Sequence, residues 1–231
     1  RVLGSRFLIE NNIGVVVAEW GGPDGKNKMP FVLRPARRLG IPTVAVPHGY
    51  HTWYNNDFNA TTAMVIKKTG LLPQLTNRNL YTNYIVQSEN IRRYCIESGI
   101  KKEKLYVLGS TRFCKEWSDI NRNLCIQNYS QKRDLRRPVV VFFLNHWTYN
   151  VDREKCINLL KKLSEEKIEL IIKGHTRGVT SGTLTCAEEA LLEERGTVSF
   201  AGPEAHSPAL VGLADVIIVY GSSICFEALR Q

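Results

Sequence analysis

The chain has 231 residues, of which 43% are hydrophobic, enough for one large domain or two small ones. Lysine and arginine outnumber aspartate and glutamate by 31 to 22, and the resulting net charge of +9 suits an anionic ligand, an anionic membrane surface or nucleic acid. The absence of any uninterrupted apolar window of about 18 residues excludes a transmembrane span. The six cysteines are widely spaced without a CxxC pair, which indicates free thiols in a reducing cytosol.

Eight short apolar runs predict strands along the chain. They cover residues 13–20, 41–49, 83–88, 105–110, 138–145, 169–175, 197–202 and 215–223. The runs are rich in β-branched residues and mostly continuous rather than alternating, which is typical of parallel strands buried on both faces.

Helices are predicted between these runs, with three clear examples at residues 88–99, 152–167 and 186–196. Ser88 and Asp152 are suitable caps for the first two, and the first ends at Gly99. The apolar face of the second helix is predicted to consist of Cys156, Leu159, Leu160 and Leu163. Strands that alternate with helices in this way predict βαβ units and a doubly wound α/β fold.

The polar and basic segment 115–137 interrupts this rhythm, and we interpret it as an interdomain connection. The chain then divides into an N-terminal Rossmann-like lobe over residues 1–114 and a C-terminal one over 138–231, which face each other across a cleft. A single continuous sheet with a long surface insertion is the alternative.

Polar residues at the strand ends are the first candidates for a site, because open α/β sheets bind ligands beyond the carboxyl ends of their strands. In the second half, the turn Gly221-Ser222-Ser223 leads into a helix, whose free N–H groups and hydroxyls suit a phosphate. Glu227, one turn later, would accept hydrogen bonds from sugar hydroxyls such as those of a ribose. Alternatively, a serine merely caps the helix and Glu227 is an ordinary surface residue.

A second cluster in this half contains the potential cations Lys173, His175 and Arg177, which together favour an anion-binding site. The alternative is a basic turn without a ligand.

In the first half, His48 follows a strand directly between Pro47 and Gly49, and a histidine near its ordinary pKa suits the role of general base. His51 lies three residues further on, but two histidines without carboxylate or cysteine partners do not indicate a metal site. A structural role is the alternative for both.

Four stretches resemble the GT-B glycosyltransferase superfamily: "PHGY" (47–50), residues 84–113, "KGHTRG" (173–178) and "GSSICFEAL" (221–229). The resemblance is strongest to the bacterial surface-polysaccharide branch, with capsule Kdo-transferase-like proteins, sialyl- and polysialyltransferases and CDP-glycerol glycerophosphotransferases. It implies that His48 is the catalytic base and that the last two motifs hold the donor nucleotide. Thr176 stands where a proline is usual, which leaves UDP- and GDP-sugar enzymes open.

The implied function is a glycosyltransferase that moves a sugar from a nucleotide-activated donor, with CMP or CDP favoured, to a hydroxyl of a capsule-type or lipopolysaccharide-type acceptor. The nucleotide sugar is a co-substrate, and no cofactor or metal is implied. His175, Lys173, Ser222 and Ser223 would stabilise the departing phosphate. Three residues after the first C-terminal strand are expected at the cleft, namely Asn145, His146 and Trp147. Trp147 would stack on a sugar or base, and the alternative is a loop aromatic packed against its own lobe. Glu19 is a second candidate base.

Two alternatives remain within this superfamily: a relative of UDP-N-acetylglucosamine 2-epimerase, and a non-catalytic protein that binds a nucleotide sugar. A nucleic-acid-binding module is disfavoured because the basic residues form neither a stripe nor a known motif. We expect a cytoplasmic protein, peripheral at the inner face of the membrane, because acceptors of this branch are often lipid-linked. We also expect a piece of a longer enzyme, since only one predicted strand precedes "PHGY".

Overall fold

The computed structural model describes residues 2–19, 29–47, 49, 60–129, 136–147, 151–175, 184–202 and 205–230. The strands in these ranges are β1 (Val16–Glu19), β2 (Thr43–Val46), β3 (Asn83–Val86), β4 (Leu105–Val107), β5 (Val139–Phe143), β6 (Glu169–Lys173), β7 (Val198–Ala201) and β8 (Val216–Val219). The helices are α1 (Val2–Glu10), α2 (Pro30–Arg38), α3 (Ala60–Thr69), α4 (Glu89–Glu97), α5 (Lys115–Tyr129), α6 (Arg153–Ser164), α7 (Cys186–Glu193), α8 (Ser207–Leu213) and α9 (Ile224–Ala228). All eight predicted strands are therefore present.

The chain forms two compact units. The first contains residues 1–56 and 61–111, and the second contains residues 57–60 and 112–231. Strands of the first unit form a parallel sheet in the order β1-β2-β3-β4, and those of the second form a parallel sheet in the order β7-β6-β5-β8. The α/β fold with two parallel sheets is thus confirmed, and the described strands do not form one continuous sheet. Helix α5, from the predicted connection, belongs to the second unit and packs against α8.

Two of the predicted caps are confirmed. Ser88 accepts a hydrogen bond at its hydroxyl from the backbone N–H of Ile91 (3.4 Å), and the carboxylate of Asp152 accepts one from the N–H of Lys155 (3.1 Å). Just beyond α4, Gly99 has φ +88°, a left-handed conformation that glycine adopts without strain.

The apolar face of α6 was predicted wrongly at one position. Leu159 is 42% exposed, whereas Leu160 is fully buried and Ile157 nearly so. Because residues three apart share a face of a helix, Ile157 and Leu160 point to the core together, and Leu159 lies to the side.

Burial distinguishes the central strand β5 from edge strands. All five residues of β5 are buried, and alternate side chains enter two separate cores on opposite faces of the sheet. In the first unit, the outer strands are more open, with Val17 of β1 60% exposed and Tyr106 of β4 47% exposed. The prediction of strands buried on both faces therefore holds for β5 but is wrong for these two edge strands.

No helix in the described part of the chain is both long and apolar enough to cross a membrane.

Candidate functional site

The strand order of the second unit reverses next to β5. The chain passes from β5 to β6 and β7 on one side, and then places β8 on the other side of β5. Phe143 at the end of β5 lies opposite Val219 at the end of β8. In open α/β sheets, the crevice at the carboxyl ends of the strands flanking such a reversal is the usual ligand site. The residues that follow β5 and β8 are therefore the best placed to bind a ligand.

Asn145 joins the ends of β5 and β8. This buried side chain donates a hydrogen bond from Nδ2 to the backbone oxygen of Tyr220 (2.6 Å), and its Oδ1 accepts one from the N–H of His146 (2.9 Å). Both ends of the amide are thus used to fix the backbone at the strand reversal. The structure gives Asn145 a positioning role next to the Gly-Ser-Ser turn that follows Tyr220.

The turn itself is shaped by Gly221, whose φ of +59° falls in the left-handed region. Ser223 occupies the N-cap position of α9, yet its side chain makes no capping hydrogen bond. The alternative in which the Ser223 hydroxyl caps the helix is therefore not observed. Ser222 and Ser223 are both half-buried at the carboxyl end of β8, next to the end of β5.

The structure brings two predicted site histidines together. His146 follows β5 and His175 follows the neighbouring strand β6, and their ring centroids lie 5.8 Å apart with the planes at 87°. Both are half-buried. Their edge-to-face contact places two titratable imidazoles at the same edge of the sheet as the Gly-Ser-Ser turn.

Lys173, predicted to face an anion, is 1% exposed. Its ammonium donates a hydrogen bond to the backbone oxygen of Gly202 (3.2 Å), which follows β7. Lys173 therefore bridges the ends of β6 and β7 inside the unit, and its contact with a donor phosphate stays a prediction.

Trp147 packs against the core between the sheet and α6, which corresponds to the structural alternative for this residue. The guanidinium of Arg153 lies 5.4 Å from the centre of its ring and also forms hydrogen bonds of 2.7 and 2.8 Å with both carboxylate oxygens of Glu188. The indole is thus held by a helix residue, and stacking of Trp147 on a sugar or base stays a prediction.

Glu227 is not the exposed residue that one interpretation of the sequence suggested. It is 3% exposed, and its Oε1 accepts a hydrogen bond from Nε of Arg112. The other oxygen, Oε2, is buried without a hydrogen-bond partner in the described part of the chain. Burial raises the pKa of Glu227 above its ordinary value, and the nearby charges of Arg112 and His206 lower it in part.

Arg112 stands among the polar residues after the fourth predicted strand, but its pairing with Glu227 was not predicted, because 115 residues separate the two. The short helix Thr111–Phe113 brings it there, since the ring of Phe113 packs on the ring of Phe226 with centroids 5.7 Å apart.

In the first unit, Glu19 is the last residue of β1, with an exposed side chain. Its backbone oxygen accepts a hydrogen bond from the hydroxyl of Tyr81 (3.4 Å). Gly49 is buried, and its backbone oxygen accepts a hydrogen bond from the Gln87 side chain. His48, His51 and Arg177 lie outside the described residues.

The described ranges contain no group of three or more His, Cys, Asp and Glu residues that could hold a metal ion. The metal-independent chemistry expected from the sequence stays a prediction.

The chain matches no protein-family model and no curated protein sequence. By structure it is similar to UDP-N-acetylglucosamine 2-epimerase from Neisseria meningitidis bound to UDP-GlcNAc, with a TM-score of 0.61 and 16% identity over 95% of this chain and 58% of that one. It is also similar to the enzyme of that name from Rickettsia bellii (TM-score 0.52, 16% identity, 90% and 51% covered). A structure of Anabaena HepE with UDP matches less well (0.48, 13% identity, 98% and 60% covered).

The chain thus spans between 51% and 60% of the length of these structures. At such low identity the likeness shows the fold alone. The two Rossmann-like lobes implied by the GT-B resemblance are confirmed as the fold class.

Proposed function

We propose that the protein is a nucleotide-sugar-dependent glycosyltransferase of the GT-B type, with its donor site in the second unit. One observation carries this proposal. The strand order reverses between β5 and β8, and the carboxyl ends of those strands present His146 and the turn Gly221–Ser223 beside each other.

The chemistry of this edge supports a phosphate-containing ligand. The hydroxyl of Ser223 is not used to cap α9, and His146 and His175 lie in contact at the adjoining strand ends. Hydroxyls, backbone N–H groups and an imidazole that can carry charge are suitable donors to a phosphate oxygen. The fold likeness to an epimerase bound to UDP-GlcNAc adds support for a nucleotide sugar as the ligand.

The proposed reaction is an in-line displacement at the anomeric carbon of the donor sugar. His48 takes the proton of an acceptor hydroxyl, and the acceptor oxygen forms a bond to the anomeric carbon. The bond from that carbon to the phosphate oxygen breaks, and its electron pair leaves with the nucleotide. Ser222, Ser223 and His175 donate hydrogen bonds to the departing phosphate, where negative charge develops.

The proposed donor is activated by CMP or CDP, and the proposed acceptor is a surface polysaccharide or glycolipid, as the short motifs suggest.

We also propose peripheral contact with an anionic membrane. Three cations lie together at the amino end of the first sheet, namely Arg37, Lys101 and Lys104. Burial, and then the charges of Arg37 and Lys101, lower the pKa of Lys104. Co-sedimentation with anionic but not neutral vesicles would support this contact. Equal co-sedimentation with both kinds of vesicle would contradict it.

A second candidate function is epimerisation of a nucleotide sugar, which the likeness to two UDP-N-acetylglucosamine 2-epimerase structures favours. An epimerase needs no acceptor. Incubation of the purified chain with UDP-GlcNAc alone should therefore yield a second UDP-sugar if the chain is an epimerase, and no conversion if it is a transferase.

Thermal unfolding in the presence of CMP, CDP, UDP and GDP tests the donor site directly. A ligand that binds only the folded chain raises the midpoint, by an amount that grows with concentration over Kd. We expect at least one nucleotide to stabilise the chain, and cytidine nucleotides to do so most if the capsule-type branch is right. Absence of stabilisation by all four at millimolar concentration would contradict the proposed function.

A further inference from the structure

Three strand ends are joined at the carboxyl edge of the first sheet. Strand β3 lies between β2 and β4, so the residues at its end can reach the segments that follow both neighbours. On one side, the backbone oxygen of Val86 accepts hydrogen bonds from the N–H groups of Leu108 (3.1 Å) and Gly109 (3.2 Å), directly after β4. On the other side, Gln87 donates a hydrogen bond from Nε2 to the backbone oxygen of Gly49, after β2.

The Gln87 side chain is well placed to hold Gly49. It is the first residue after β3, so the pairing of β3 with both neighbouring strands fixes its backbone, and its side chain is half-buried. Gly49 is buried, and a buried backbone oxygen needs a donor. The orientation of the Gln87 amide follows from this bond, because the opposite orientation would place Oε1 against the Gly49 oxygen.

The sequence around Gly49 makes this contact important. Gly49 directly follows His48, and Pro47 directly precedes it, with a ring that fixes its own φ. Glycine, in contrast, adopts many backbone conformations unless a contact selects one. The bond from Gln87 therefore restricts the backbone on the side of His48 where the sequence itself is permissive.

We propose that Gln87 is a positioning residue for the base: by holding the Gly49 carbonyl, it restricts the backbone that carries His48 and keeps the imidazole directed at the acceptor hydroxyl. This inference rests on the proposed function, in which His48 removes the proton of that hydroxyl. Gln87 acts through Gly49 and not through contact with the substrate. A base must be held within narrow limits of distance and angle, so a small displacement costs much of the rate.

The first experiment follows the His48 imidazole by proton NMR during a pH titration. The chain contains five histidines, and the His48 signal is the one that disappears in His48→Ala. Gln87→Met keeps the length of the side chain and removes its hydrogen-bonding groups. It should shift the His48 signal and change its apparent pKa, because Gly49 is no longer held in one conformation. A signal with unchanged position and unchanged pKa would overturn the inference.

Gln74→Met is the matched control. Gln74 belongs to the same unit and also donates from Nε2 to a backbone oxygen, that of Leu72 (3.3 Å), but its side chain is exposed. This substitution should leave the His48 signal where it is in the unaltered chain. An equal shift in Gln74→Met and Gln87→Met would mean a general change of the unit and would overturn the inference.

The second experiment separates positioning from folding. Turnover is measured as nucleotide release from UDP-GlcNAc and from a CMP-activated sugar, and Kd is measured by calorimetry with UDP and CMP. Gln87→Met should lower turnover by roughly 10²-fold, the effect of misplacing a catalytic group by about 1 Å. Kd should be unchanged, because the proposed donor site lies in the second unit. An equal loss of turnover and affinity would contradict a positioning role.

Gln87→Glu tests the donor itself. A carboxyl has nearly the shape of the amide, but only its protonated form can donate to the Gly49 oxygen. Turnover relative to the unaltered chain should therefore be greatest at about pH 5.5 and fall as pH rises, since the carboxylate repels the carbonyl and burial raises the pKa of a carboxyl. A ratio that does not depend on pH would contradict the proposed contact.

The outcomes distinguish the two proposals. If the unaltered chain binds and turns over a nucleotide sugar, and Gln87→Met equals it in turnover and in the His48 signal, the inference fails and the proposed function stands. If the unaltered chain binds neither UDP nor CMP, the proposed function is contradicted, and the His48 signal alone decides whether Gln87 holds the backbone beside it. If Gln87→Met does not fold, the pH profile of Gln87→Glu decides.

Discussion

The two units contain parallel sheets of four strands each, but only the second reverses its strand order. In the first unit the described strands follow one another in the order β1-β2-β3-β4, whereas in the second the chain returns to place β8 beside β5. At the reversal, the Asn145 side chain donates a hydrogen bond to the backbone oxygen of Tyr220, and the rings of His146 and His175 are in edge-to-face contact. Because a ligand crevice forms where the connections on either side of a reversal diverge, the proposed donor site lies in the second unit rather than in the first.

The largest expected effect concerns the first unit. His48→Ala should lower turnover by roughly 10²–10⁴-fold, the usual contribution of a general base, and leave nucleotide affinity unchanged. Steady-state transfer kinetics measure the turnover of this variant, and calorimetric titration measures its nucleotide affinity. Glu19→Gln is the matched variant, since Glu19 is the second candidate base. If Glu19→Gln abolishes transfer and His48→Ala does not, the base is wrongly assigned.

A smaller effect tests the contrast between a central strand of the second unit and an edge strand of the first. Val141 of β5 is fully buried, and Val17 of β1 is 60% exposed. Val141→Thr should destabilise the second unit by about 1–3 kcal/mol, because its hydroxyl enters an apolar core. Val17→Thr should change the first unit by less than about 0.5 kcal/mol.

Hydrogen exchange, with peptides from each unit resolved by mass spectrometry, measures the two free energies of opening separately. Equal effects of the two substitutions would mean that β5 and β1 are covered alike, contrary to the structure.

The strands and caps were predictable because they depend on local sequence. Continuous apolar runs located every strand in the described ranges, and Ser88 and Asp152 were identified as caps from the residues beside them. The exposure of Val17 was not predictable, because its run of valines resembles that of a central strand and only the sheet order makes β1 an edge.

The candidate site was predictable only in outline. The residues that follow β5, β6 and β8 were identified from the rule that ligands bind at strand ends, and the histidines among them do lie together. The burial of Lys173 and the pairing of Glu227 with Arg112 depend on tertiary contacts between distant segments, which a single sequence does not reveal.

The most direct test of the account is the affinity of the chain in which Ser222 and Ser223 are both replaced by alanine. Calorimetric titration with the nucleotide that stabilises the unaltered chain most should show affinity reduced by about tenfold or more, since two hydrogen bonds to a charged phosphate are removed while the fold is kept. Affinity equal to that of the unaltered chain would contradict the assignment of the phosphate site to the end of β8.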